Sequence, residues 1–189
     1  ILDPSWRLDD YVDFVDAFTK KLNLQVDTVV GHSFGGRVII KGTARRMFAP
    51  RRIVLIAAAG VAERKTTRSV VLKIAAKAGK FATMPLPQGI RQKLRRRLYR
   101  SVGSDYHASG SLKDIFLNII KEDLSHAASL VTSPTLLIWG EQDTQTPLAE
   151  GLKLHHLIRG SRFETIRGAT HFVHQEYPEK VAQLICVFL

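Results

Sequence analysis

Cysteine is almost absent from this 189-residue chain. Cys186 is the only one, so no disulfide can form within the chain and the fold must rest on packing. Such sparing use fits a reducing compartment, and a cytoplasmic location is the expectation. No apolar stretch approaches the roughly 18 residues that cross a bilayer as a helix, and nothing near Ile1 resembles a signal peptide. No cluster of histidine, cysteine and carboxylate has metal-ligand spacing. The phosphate-cradling patterns G-x-x-x-x-G-K-S/T and G-x-G-x-x-G are also missing. Neither a metal nor a cofactor is expected. There is no internal repeat and no low-complexity tract.

Acidic residues are scarce: 17 Asp and Glu stand against 28 Lys and Arg, for a formal net charge of +11. Residues 61–130 alone hold 14 Lys and Arg and 5 Asp and Glu. The middle segment therefore carries most of the excess, and it is the part to test against an anionic partner. The run Arg95-Arg96-Arg97 reads first as a solvated helix face. Weak contact with an anionic membrane surface is the alternative. Nucleic acid is not an expected partner, because Tyr99 is nearly the only aromatic among these bases and stacking needs more. Hydrophobic residues make up 45%, enough for one domain with a real core.

Periodicity divides the chain into strands and helices. Residues 7–22 read as a helix, with Leu8, Tyr11, Val12, Val15, Phe18 and Leu22 on one face and Asp9, Asp10, Asp13 and Asp16 on the other. Residues 26–30 read as a strand and 34–46 as a helix, where Gly35 and Gly36 permit close packing on a sheet. Residues 53–56 and 135–139 are buried-type strands. Residues 148–158 form a helix, 162–166 a strand, and 179–189 a closing helix. Three helical stretches fill 64–130, the last opened by a Ser111/Asp114 capping box. The alternation implies an α/β fold, a mostly parallel sheet flanked by helices. Residues 1–61 and 131–189 form the core, and 62–130 a helical cap inserted between its halves.

Gly31-His32-Ser33-Phe34-Gly35-Gly36 lies between a strand and a helix. A serine hydroxyl becomes a useful nucleophile only when it projects into a cleft, and a sharp strand-to-helix turn between small residues does that. Ser33 then needs a base. His171, in Gly168-Ala169-Thr170-His171, follows the strand at 162–166, and parallel sheets place active sites at such carboxyl ends. The imidazole needs a carboxylate to hold its tautomer. Asp143 supplies one just past the strand at 135–139; Glu141 is the rival acid, nearer the strand end. The order Ser33, Asp143, His171 is the order this elbow requires. His32 and His174 read as structural, His32 packing or hydrogen-bonding locally. His155 and His156 read as surface or packing residues.

Together these motifs resemble the α/β-hydrolase superfamily, in its serine-nucleophile, cap-containing branch. Gly31 to Gly36 matches the nucleophile elbow, Leu137 to Asp143 with Thr146-Pro147-Leu148 the acid turn, Gly168 to Phe172 the histidine loop, and Tyr177 to Val181 the start of the last helix. The resemblance implies a small-molecule substrate and an ester-type bond cleaved through an acyl-enzyme. The Phe34 N–H is one oxyanion donor. The family's second donor, from a His-Gly loop after an earlier strand, has no counterpart before Val26. The expectation is thus an N-terminally incomplete hydrolase fold with an exposed edge at 26–30. The same triad also serves carbon–carbon bond hydrolysis, thioester or amide cleavage and perhydrolysis. Relatives that cleave epoxides or haloalkanes carry aspartate at the elbow, so Ser33 argues against both. A catalytically impaired fragment, or a module that binds through the basic cap, is the reading of another class.

Overall fold

The computed structural model describes residues 6–61, 119 and 122–189. The chain divides into two compact units, Ile1–Val61 with Gly110–Leu189, and Ala62–Ser109. Every described residue belongs to the first unit. Of the helical block expected at 64–130, all but residues 119 and 122–130 lies outside the described residues, and so does the basic run at 95–97.

Four parallel strands lie in the order in which they occur: β1 Thr28–His32, β2 Arg52–Ile56, β3 Thr135–Gly140 and β4 Arg162–Ile166. Each connection returns the chain to the same end of the sheet. Helices make the returns from β1 to β2 and from β3 to β4, as parallel pairing requires. The described helices are α1 Leu8–Lys21, α2 Phe34–Ala44, α3 Ser125–Ser129, α4 Leu148–Leu157, α5 Val173–Glu176 and α6 Pro178–Phe188. Helix α3 lies within the block expected to be helical, beyond the apolar stretch that ends at Ile120. Among the described residues no helix is long and apolar enough to cross a membrane.

Period-2 alternation sends the central strands' side chains to two separate cores. Ile53, Leu55, Leu137 and Trp139 pack with Leu8, Val12, Ile40 and Leu154 of the helices on one face. Val54, Ile56, Leu136 and Ile138 pack on the other with Ile166, Val173 and Val181. Both faces of β2 and β3 are covered, which is why these strands read as continuous apolar runs. Ile119, Leu124 and Ala128 join the first core.

Two expectations needed correction. The strand predicted at 26–30 begins at Thr28 and runs through Gly31 and His32, which pair with Leu55 and Ile56. Pairing with β2 outweighs glycine's poor strand propensity, and it carries the ladder to the edge of Ser33. On α1, Asp16 is not on the solvent face. It is buried, its carboxylate 2.7 Å from Lys20 Nζ, whereas Phe18 and Leu22 are about half exposed. The buried stripe follows Leu8, Val12 and Asp16 at i, i+4 spacing, and the lysine one turn on makes the acid tolerable there.

Helix α2 is held from both sides. Lys41 Nζ lies 2.7 Å from Asp9 of α1 and 2.7 Å from Glu122. Buried Arg37 donates to the Ile119 and Glu122 carbonyls. The helix behind the elbow is thereby tied to α1 and to the carbonyls of Ile119 and Glu122.

Candidate active site

Ser33 stands between β1 and α2 with φ 49° and ψ −110°. A side chain disfavours this region, at a cost of roughly 1–3 kcal/mol, and it persists only when the surroundings enforce it. Here β2 and its following loop do so. The Ser33 N–H donates to the Ile56 carbonyl at 3.0 Å, and the Ala59 N–H donates to the Ser33 carbonyl at 3.0 Å. Space is as tight as the bend suggests. A Cβ on Gly31 would overlap Ile39 and come within 2.9 Å of the Gly35 carbonyl oxygen, and one on Gly36 would overlap the Ala58 side chain. Gly36 therefore permits close packing on the sheet, as expected. Gly35 does not: a Cβ there would meet nothing within 4 Å. What matters at Gly35 is its backbone, which Gly31 approaches.

Asp143 lies in the turn after β3 with its side chain wholly buried. Its carboxylate accepts four hydrogen bonds. The backbone N–H groups of Gln145 and Thr146 donate to Oδ1 at 2.8 and 2.9 Å, and the Thr146 hydroxyl donates to Oδ2 at 2.7 Å. The fourth comes from His171 Nδ1, 2.8 Å from Oδ2. Burial pushes the acid's pKa up, but the bonds from His171 and Thr146 outweigh it and hold Asp143 below the usual carboxylate value. Glu141, the rival, is exposed to solvent.

His171 follows β4 in a loop stitched to that turn. Gln142 donates to the Ala169 carbonyl at 2.9 Å and Glu141 to the Ile166 carbonyl at 3.2 Å. A Cβ on Gly140 would overlap the Ala169 and Thr170 carbonyl oxygens, so only glycine allows the two loops to approach this closely. Glu176 of α5 holds the loop from beyond, accepting from the Thr170 N–H at 2.7 Å and from the Thr170 hydroxyl. With Nδ1–H directed to Asp143, the His171 ring presents a lone pair at Nε2, as a general base must.

The structure thus brings the expected acid and base into contact. Ser33 is in their neighbourhood through His32, whose Nε2 lies 2.9 Å from the His171 carbonyl oxygen. Among the described residues the His171 ring bonds to Asp143 and Thr146, and the Ser33 hydroxyl is not one of its partners. Such bonds are often longer before substrate binds. His32 was expected to bond locally; it bonds instead to a residue 139 positions away. His174 lies within α5, and its ring is 4.5 Å from that of His32. His155 is exposed, as expected, and bonds to Ser161.

Thr146 was quoted in the acid turn but given no role. Its buried hydroxyl sits 2.7 Å from Asp143 Oδ2 and 3.2 Å from both His171 Nδ1 and the Ala57 carbonyl. Its own carbonyl accepts from the buried indole of Trp139 at 2.8 Å. Ala57 lies 89 positions from Thr146 and His171 25, so no local pattern could have announced those two contacts.

The model of the alpha/beta hydrolase family matches residues 2–184. A 2-hydroxy-6-oxononadienedioate/2-hydroxy-6-oxononatrienedioate hydrolase of Klebsiella pneumoniae is 34% identical over 59 residues, 31% of this chain and 20% of that relative's length. Among solved structures, a bacterial membrane phospholipase A superposes with a TM-score of 0.71 at 21% identity, over 97% of this chain and 63% of that one. A meta-cleavage product hydrolase from Pseudomonas fluorescens superposes with a TM-score of 0.67 at 20% identity, over 97% and 72%. The chain is shorter than each of these relatives.

Proposed function

The chain belongs to the alpha/beta hydrolase family, and on that premise we propose that it is a serine hydrolase cleaving an ester bond of a small or medium apolar substrate. The observation that carries this reading is the 2.8 Å bond between buried His171 and Asp143, in a loop that His32, the neighbour of strained Ser33, touches. His171 Nε2 takes the proton of the Ser33 hydroxyl as Oγ bonds to the ester carbon, and the carbonyl oxygen becomes an oxyanion. When the tetrahedral adduct collapses, the same proton passes from Nε2 to the departing alkoxide, leaving an acyl group on Ser33. Water, deprotonated by His171, then attacks that acyl group and regenerates the serine. Asp143 holds the Nδ1–H tautomer and stabilises the transient imidazolium. The Phe34 N–H, at the positive end of the α2 dipole, faces the developing oxyanion.

Hydrolysis of short-chain p-nitrophenyl esters tests the reading. Turnover with a burst of nitrophenol is expected, and Ser33→Ala should lower kcat by about 10⁴-fold or more. Equal turnover by the alanine variant would refute it. A second reading, carbon–carbon bond hydrolysis with the same three residues, is favoured by the similarity to the Klebsiella hydrolase. A higher kcat/KM for a 2-hydroxy-6-oxodienoate than for any ester would select it.

A further inference from the structure

His32 precedes the proposed nucleophile and touches the proposed base's own residue. Its Nε2 is 2.9 Å from the His171 carbonyl oxygen, a contact only an Nε2–H donor can make. Its ring lies 4.7 Å from the His171 ring, 5.8 Å from Phe172 and 4.5 Å from His174. One side chain from the end of β1 therefore rests against the loop that follows β4, across the intervening β2 and β3. Its backbone is fixed as well, since His32 pairs with Ile56 and the next N–H, that of Ser33, donates to the Ile56 carbonyl.

We propose that His32 is a positioning residue: its Nε2–H bond to the His171 carbonyl sets the distance between the Ser33 elbow and the His171 ring. The proposal rests on the triad reading for its catalytic consequence, but the tether itself does not. Asp143 and Thr146 fix the His171 ring at Nδ1 only. They belong to the turn after β3, and their link towards Ser33 is indirect, running from the Thr146 hydroxyl to the Ala57 carbonyl in the loop after β2. Glu176 and the Gln142 N–H brace the loop from β3 and α5. Of these braces, the His32 bond is the one that reaches β1. Burial holds His32 below its ordinary imidazole value, the bond to His171 opposing and the neighbouring His171 and His174 adding to the effect. A neutral ring donates through one nitrogen and brings no fixed charge beside the base. An error of about 1 Å in the placement of a reacting group can cost 10²-fold in rate, so one hydrogen bond at this position has leverage.

Three variants test the proposal. His32→Leu keeps the bulk and removes the donor, His32→Asn keeps an amide too short to reach, and His32→Gln places an amide N–H near the position of Nε2. The expected result is a 10- to 100-fold fall in kcat (about the range for supporting residues) for Leu and Asn, with KM nearly unchanged and most of the loss recovered in Gln. Amide hydrogen exchange at residues 168–172 should quicken in Leu and Asn and return towards wild type in Gln. Unchanged kcat in Leu or Asn, a loss confined to KM, or a Gln variant as poor as Leu would overturn the proposal. If Leu fails to fold, Asn and Gln decide it. Failure of the triad reading looks different: Ser33→Ala would then turn over like wild type. The tether would still stand or fall on the exchange rates, and wild-type exchange in Leu or Asn would refute it.

Discussion

His171 Nδ1 and Asp143 Oδ2 meet at 2.8 Å with the carboxylate wholly buried and the imidazole nearly so. A buried carboxylate with this many donors is held in one orientation and stays ionised. Replacing it by an amide keeps the shape but turns one oxygen into a donor, which cannot accept from Nδ1–H. In Asp143→Asn we expect a folded protein whose kcat falls by about 10⁴-fold, measured on p-nitrophenyl esters alongside circular dichroism.

Thr146→Val removes a hydroxyl and leaves the volume. Asp143 Oδ2 then loses one of its two donors in a buried setting, which costs about 1–3 kcal/mol of stability. The carboxylate's pKa should rise, because one of the bonds holding it down is gone. The Nδ1 bond remains, so activity should fall only about 10-fold. Thermal denaturation and kcat measured on the same preparation separate these effects.

The two neighbouring glycines should respond oppositely. A methyl group on Gly36 overlaps the Ala58 side chain and lies 3.1 Å from its Cα, so Gly36→Ala forces α2 away from the sheet at a cost of about 1–3 kcal/mol. Gly35→Ala meets nothing within 4 Å, lies within α2, and should gain up to about 1 kcal/mol from helix propensity. Denaturant midpoints for the two variants check this contrast.

Stability should fall as pH is lowered, in two stages. His32 is held below 6.5 in the fold, so the unfolded chain takes up its proton first. Stability declines as pH drops below about 6.5, until His32 itself titrates. Asp143 is held below 3.8; its contribution is complete above that value and is lost as pH falls through the lower folded pKa. Melting temperature against pH should show the first stage flattened in His32→Gln and the second in Asp143→Asn.

The elbow, the acid turn and the histidine loop were legible because each concentrates its signal in a few adjacent residues at a strand end. Asp143 is buried and bonded to His171 whereas Glu141 is exposed, a difference that place in the turn alone does not give. The parts that were not legible depend on distant partners. β1 extends to His32 because β2 offers a ladder there, against the local preference of Gly31. Asp16 is buried and paired with Lys20, whereas a count of polar positions reads it as solvent-exposed. The contacts of Thr146 with Ala57 and of His32 with His171 join residues far apart along the chain, so local patterns carried no sign of them.

The most direct measurement is covalent labelling by a fluorophosphonate, read by intact mass and by the modified peptide. Wild-type protein should gain one adduct, on Ser33. Labelling should vanish in Ser33→Ala and slow by orders of magnitude in an alanine variant of His171. Folded wild-type protein that stays unlabelled, or takes its label at the same rate without Ser33, would contradict the assignment of Ser33, Asp143 and His171.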